Sequence, residues 1–132
     1  MKYLLLFLLS LIVTTTHADI IGKVVSVTDG DTLKVLDKTN TQHKIRLIGI
    51  DAPESGQPFG KASKEHLATM VAGKEVFVES DKTDRYERTL GKVWVQPSDC
   101  HTCGKTLDAN LAQILAGMAW WYRYYAKEQS PE

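Results

Sequence analysis

Charged side chains interrupt two stretches of this sequence that are otherwise built for burial. Asp29 and Asp31 flank a glycine in "TDGDT" (Thr28–Thr32), and Arg46, Asp51 and Glu54 punctuate "IRLIGIDAPE" (Ile45–Glu54). Unpaired charge is costly to bury, so a guanidinium and carboxylates on one apolar ribbon need a reason. Oxygen-only ligands of this kind suit a hard cation. A planar guanidinium matches two phosphate oxygens at once. Each stretch also has a plainer reading. Asp29-Gly30-Asp31 alone is more often a simple hairpin turn. Asp51 to Glu54 alone can cap a following helix, and Arg46 can pair with a cross-strand acid. Only the joint pattern favours chemistry.

The chain bounds what can position these groups. Its 132 residues suffice for one domain with one core. Sixteen basic residues balance 16 acidic ones, so an anionic ligand would be caught by a local cluster rather than by overall charge. Lys2 followed by the apolar run Tyr3–Val13 reads as a secretory leader, too short for a comfortable transmembrane helix. Thr16 and Ala18 place small residues before a cleavage point after Ala18, giving residues 1–18 as leader and 19–132 as the mature domain. Removing Lys2 leaves 15 basic residues against 16 acidic, a net charge of −1. The expected location is periplasmic or secreted, with no membrane attachment after cleavage. In such a compartment Cys100 and Cys103 are expected to pair as a local disulfide, with zinc or redox roles as the alternatives.

The elements follow from periodicity and turn signals. Ile20–Val27, Leu33–Leu36 and Thr41–Ile50 read as an antiparallel meander with turns at Thr28–Thr32 and Asp37–Asn40. On flat strands, the turn entering the second strand and the exit of the third are expected at opposite ends. Bringing Asp31 to Asp51 would then need twist and barrel closure. Gly60–Lys74 reads as a helix with Ala62, Leu67, Met70 and Val71 on one face and Gly73 as its stop. Glu75–Ser80 and Gly91–Gln96 read as strands around a charged loop, Asp81–Thr89. Thr106–Trp120 reads as a second helix with Leu107, Leu111, Ile114, Leu115 and Met118 on its apolar face. Trp120 and Trp121 are either core plugs or, with Tyr124, a patch needing cover. Five strands and two helices in this order predict an α+β chain, a five-stranded barrel of OB type with helices packed on it. Ser130-Pro131-Glu132 resembles a helix start, as if a C-terminal helix were truncated.

The motifs "DGDT", "RLIGIDAPE" and "DRYERTLGKVW", in this order and spacing, resemble the staphylococcal nuclease (thermonuclease) family over roughly Ile20–Tyr125. The resemblance implies an OB barrel with three helices and a Ca²⁺ site formed by Asp31, Asp51 and the carbonyl of Ala52. It implies Arg46, Glu54 and Arg88 as catalytic residues and products ending in 3′-phosphates. Arg85 and Tyr86 stand where the family has a lysine and a tyrosine that contact the terminal phosphate. Tyr122 and Tyr125 match its substrate-stacking tyrosines, offering π-faces to bases. Glu87 departs from the small residues familiar beside that arginine, and could pair with Arg85.

The residue chemistry agrees with the resemblance. Three carboxylates repel a phosphodiester unless a hard cation sits between them. The cation and two guanidiniums then neutralise charge gathering on phosphorus, while Glu54 positions or deprotonates water. The reading is an exported Ca²⁺-dependent nuclease acting on single-stranded or locally open DNA and RNA with little sequence preference, without a stable protein partner. The alternative is an OB barrel that binds nucleic acid without cleaving it.

Overall fold

The computed structural model describes residues 11–13 and 18–122. Most of the expected leader, Tyr125 and the expected third-helix start lie outside the described residues. In chain order the elements are β1 (Ile20–Asp29), β2 (Thr32–Asp37), β3 (Gln42–Leu47), β4 (Ile50–Asp51) and α1 (Gly60–Val71). They continue with β5 (Glu75–Thr83), β6 (Thr89–Val95), β7 (Leu107–Asp108), α2 (Ala109–Leu115) and β8 (Trp120–Trp121). The sheet runs β3-β2-β1-β5-β6-β7, and an additional parallel pairing of β3 with β6 closes five strands into the expected barrel. Leu33, Val35, Ile45, Leu47, Val76, Val78, Val93 and Val95 fill its interior.

Closure is not what brings Asp31 towards Asp51. In an antiparallel meander the start of the second strand and the end of the third lie side by side, and the register Thr32↔Arg46 shows it. The expectation of opposite ends was a misreading of antiparallel geometry. Closure instead adds the other half of the site, because Arg46 is also in register with Leu90 on β6.

The third strand is broken where it was expected to be continuous. After Leu47 the chain turns at Ile48-Gly49, with Gly49 at φ 80°, a left-handed conformation open to glycine at little steric cost. It resumes as β4, which leaves the barrel and pairs with β8. Three partners hold the turn. Ile48 N donates to Gly91 O at 3.0 Å, Tyr122 N donates to Gly49 O at 3.0 Å, and Asn110 Nδ2 donates to Ile48 O at 3.0 Å.

The helices also depart from the periodicity reading. On α1 the buried stripe is Gly60, Ser63, Leu67 and Val71, with Ala62 exposed and Met70 partly buried against the core. Gly73 ends the helix region as expected, at φ 71°. The second helix has only seven residues, because Leu107–Asp108 joins β6 as a short strand and Gly117 turns the chain into β8. Its buried residues are Ala109, Asn110 and Gln113, whereas Leu111 and Leu115 face outward and Ile114 packs partly against the core. Trp120 and Trp121 are about half exposed and plug nothing. Cys100 and Cys103 form a disulfide on the loop between β6 and β7.

The buried amides explain the inversion. Asn110 Oδ1 accepts from Val93 N, and its amide nitrogen donates to Ile48 O and Gly91 O. Gln113 Nε2 donates to Gly30 O at 2.7 Å and Ser63 O at 3.1 Å, while its oxygen bonds His66. The barrel end presents carbonyls from two turns, and unpaired carbonyls there are costlier than exposed leucines. Gln113→Leu should therefore destabilise the fold by about 1–3 kcal/mol, whereas Leu115→Gln should change it by less than about 0.5 kcal/mol. Urea denaturation of both variants checks this, and the opposite order would overturn the assignment of α2's buried face.

Candidate active site

The site is assembled around one buried guanidinium. Arg46 leaves β3 just before the Ile48-Gly49 turn, and its Nη1 donates to Leu47 O and Ile50 O, both at 2.8 Å. These are carbonyls on either side of the turn, so the guanidinium bridges the break in the ribbon. Its Nη2 lies 3.3 Å from both Asp31 Oδ2 and Asp51 Oδ1. Asp31 is held from its other side by Thr32 Oγ1 at 2.8 Å, and its Oδ2 accepts from Ala52 N at 2.9 Å. Asp31, Arg46, Asp51 and Ala52 thus form one cluster.

Two aspartates against one arginine leave this cluster one negative charge in excess. Asp51 shows the strain: burial raises its pKa above the usual carboxylate value, and Asp31 beside it adds to the rise, against the pull of Arg46. An oxygen-only pair of crowded carboxylates fits a hard divalent cation, which would relieve that crowding. Asp51 is the more open member, facing a cleft of about 660 Å³.

The same cleft is lined by Arg46, Arg85, Tyr86, Arg88 and Tyr122. The β5–β6 connection is much shorter than the expected Asp81–Thr89 loop, because both strands extend to leave only Asp84–Arg88. A residue that sequence reasoning passed over, Asp84, organises this turn. Its Oδ1 accepts from Tyr86 N at 2.9 Å and Arg88 N at 3.0 Å, and its Oδ2 accepts from Arg88 Nε at 2.8 Å. An aspartate opening a tight charged turn is the available signal, since its side chain readily bonds the backbone two residues on. Arg85 and Arg88 both lie within cation–π range of the Tyr86 ring, at 5.0 and 5.4 Å to its centroid. Glu87 takes a left-handed conformation at φ 62° and is exposed, outside the cleft lining.

Glu54 is not gathered with the other acids. It is exposed on the loop after β4, where its backbone N donates to Gln57 Oε1, and it does not line the cleft. Among the described residues no three His, Cys, Asp or Glu side chains form a metal-holding group. The cluster's own carboxylates are Asp31 and Asp51.

Residues 44–132 match the family model for staphylococcal nuclease homologues. The chain belongs to the staphylococcal nuclease family. The matched range takes in Arg46, Asp51, Arg85, Tyr86 and Arg88 and begins after Asp31. A micrococcal nuclease of Shigella flexneri is 45% identical over 112 residues, covering 83% of this chain and 63% of that protein. Protein ParB of Escherichia coli is 42% identical over 116 residues, covering 87% and 64%. The thermonuclease of Staphylococcus hyicus is 40% identical over 81 residues, covering 55% and 47%. The chain spans less than two thirds of the length of these family members.

Asp84 supports a pH prediction. Burial would raise its pKa, but the backbone N–H groups of Arg88 and Tyr86 and the Arg88 guanidinium outweigh this and lower it below 3.8. A carboxyl with a depressed folded pKa contributes stability that is present above its unfolded value and lost as pH falls through the folded one. The amide chemical shifts of Tyr86 and Arg88 should therefore hold steady through neutral and mildly acidic pH and move at lower pH than an ordinary aspartate would require. In Asp84→Ala they should already be shifted at pH 7, with the barrel still folded. Titration of the wild-type amides near pH 6 would contradict the clamp.

Proposed function

We propose that this chain is an exported, Ca²⁺-dependent nuclease that hydrolyses phosphodiester bonds in DNA and RNA with little sequence preference. The observation that carries this reading is the shared cleft. Arg46, braced against Asp31 and Asp51, and Arg88, aimed by Asp84, line one hollow wide enough for a phosphodiester. Family membership points the same way. The printed names of relatives, micrococcal nuclease and thermonuclease, describe those proteins' activities.

The residues divide the work by charge. Arg88, bound to Asp84 through Nε, presents its Nη donors to the phosphoryl oxygens, where negative charge grows during attack on phosphorus. Arg46 would join through Nη2 once a cation takes over Asp31 and Asp51. Because Asp84 and the turn carbonyls fix the two guanidiniums beforehand, little reorganisation is needed when substrate arrives. Ca²⁺ would be held by Asp31, Asp51 and the Ala52 carbonyl, and supplies the positive charge that offsets the cluster's excess negative charge beside a phosphate. Glu54, on the loop after β4, is the proposed group for orienting or deprotonating water. Arg85 and Tyr86 steady the neighbouring phosphate, and Tyr122 offers a π-face to a base. Tyr125 is proposed for the same role. Little sequence preference follows because these contacts address phosphate and ring faces rather than base edges.

Export is supported by the Lys2-led apolar run and by the Cys100–Cys103 disulfide, which suits an oxidising compartment. Among the described residues no helix is long and apolar enough to cross a membrane. A barrel that only binds nucleic acid would gain nothing from two carboxylates crowded beside its arginine.

The test is digestion of single-stranded DNA with Ca²⁺ and with chelator. Cleavage should require Ca²⁺; binding without cleavage would favour the binding-only barrel. Arg88→Ala should lower turnover by about two to three orders of magnitude. Arg46 is also a strut, and removing one partner of a buried pair costs about 3–5 kcal/mol, so Arg46→Lys is the informative variant there. Near-normal turnover of folded Arg88→Ala would sink its assigned role.

A second measurement addresses the metal. Asp31→Asn can keep the bond from Ala52 N but replaces a charged ligand by a neutral amide, a poorer ligand for a hard cation. The Ca²⁺ concentration giving half-maximal activity should rise. An unchanged midpoint would place the cation elsewhere.

A further inference from the structure

Two hollows lie on one face of the β4–β8 ribbon, and the cleft accounts for only one of them. The register pairs Asp51 with Trp120, and directly opposed residues of an antiparallel pair share a face. Pro53 and Tyr122 follow just beyond the ends of these two-residue strands. Asp51 and Tyr122 line the cleft, whereas Trp120 and Pro53 line the second hollow, of about 350 Å³. The Asp51–Trp120 pair is therefore the boundary between them.

The second hollow is built for a flat, uncharged group. Pro53, Phe59, Met118 and Trp120 supply its apolar walls, Gln57 supplies a polar one, and among the described residues no charged side chain lines it. Trp120 is 52% exposed and Phe59 83% exposed. Phe59 also sits at φ 64°, at the N-cap of α1, with no side-chain cap. A bulky residue in the left-handed region costs about 1–2 kcal/mol, and here no burial of the ring offsets it. Strain of this kind concentrates at ligand-holding positions.

We propose that the Phe59–Trp120 hollow is a second base-binding subsite, so that a nucleic-acid strand crosses the β4–β8 ribbon with bases held on both sides of Asp51. The proposal rests on the reading of the cleft as a phosphodiester site. One base lies against Tyr122, and the base across Asp51 stacks on Trp120 with Phe59 at its edge. A nucleobase is the occupant because the hollow adjoins the guanidiniums that hold phosphate yet offers no charge of its own. Stacking on aromatic faces is tolerant of base identity, as the cleft's contacts are.

Trp120→Leu keeps an apolar residue on β8, and Phe59→Asn suits the left-handed backbone, so both variants should fold. Their KM for a short single-stranded DNA oligonucleotide should rise on the order of tenfold, the equivalent of losing one stacked base. A nucleoside phosphodiester with one base and a small alkyl leaving group, which offers nothing to stack, should be cleaved with unchanged kcat/KM. Equal losses on both substrates, or none on the oligonucleotide, would overturn the subsite. If the unaltered protein cleaves neither substrate, the phosphodiester reading fails. Fluorescence anisotropy of a labelled oligonucleotide then judges the subsite alone: weaker binding by both variants upholds it, and unchanged binding overturns it. A dimer dissociated by Trp120→Leu with unchanged oligonucleotide affinity would show that a second copy covers the patch, and would overturn it too.

Discussion

The site depends on a guanidinium that the barrel cannot leave unpaired. Arg46 is buried, and a buried cation is tolerated only when its donors are met and its charge is balanced. Its donors reach two carbonyls of the broken ribbon and two aspartates that come from different strand ends. One side chain therefore fixes the shape of the Ile48-Gly49 turn and the spacing of Asp31 and Asp51 together. The arrangement also leaves an unbalanced negative charge at the rim, raising the pKa of Asp51 through burial and the neighbouring acid. An anion approaching this rim meets an arginine whose charge is already more than matched. A hard cation is what would change that balance, and the oxygen donors present are the kind it binds.

The short second helix serves the same end from behind. Its seven residues bury two amides, and each amide ties a turn that carries a site residue. Asn110 reaches the turn after Arg46, and Gln113 reaches Gly30, next to Asp31. Amide side chains suit this position because they offer a donor and an acceptor to backbone groups that barrel closure leaves without ladder partners. The consequence is an outer face carrying Leu111 and Leu115. Polar satisfaction at the barrel end outweighs the burial of two leucines.

The ribbon of β4 and β8 links the barrel chemistry to the aromatic surface. Because β4 leaves the barrel after a turn instead of continuing β3, it has an edge free to pair with the segment after α2. That pairing sets Trp120 opposite Asp51 and brings Tyr122 beside the cleft. Charged and aromatic groups distant in sequence thus meet on one surface.

The sequence by itself determined the strands of the barrel, the first helix with its glycine stop, and the residue types of the site. Alternating β-branched residues, an Asp-Gly turn and a helical apolar period are local signals, and the local preferences agree with the final structure. The grouping of Asp31, Arg46, Asp51 and Ala52 was legible from their motifs and the resemblance those carry, whereas the meander was misread as holding their strand ends apart. Only the tertiary structure decided where the third strand breaks, since "RLIGI" has an uninterrupted apolar character and Gly49 is tolerated in a strand. It alone decided that Gln113 and Asn110 turn inward, because the carbonyls they satisfy belong to turns far away in the chain. Asp84 was missed for a related reason: its role is to aim Arg88, which shows only when the turn is closed. Glu54 lies outside the cleft lining because a loop, unlike a strand, takes its direction from what packs around it.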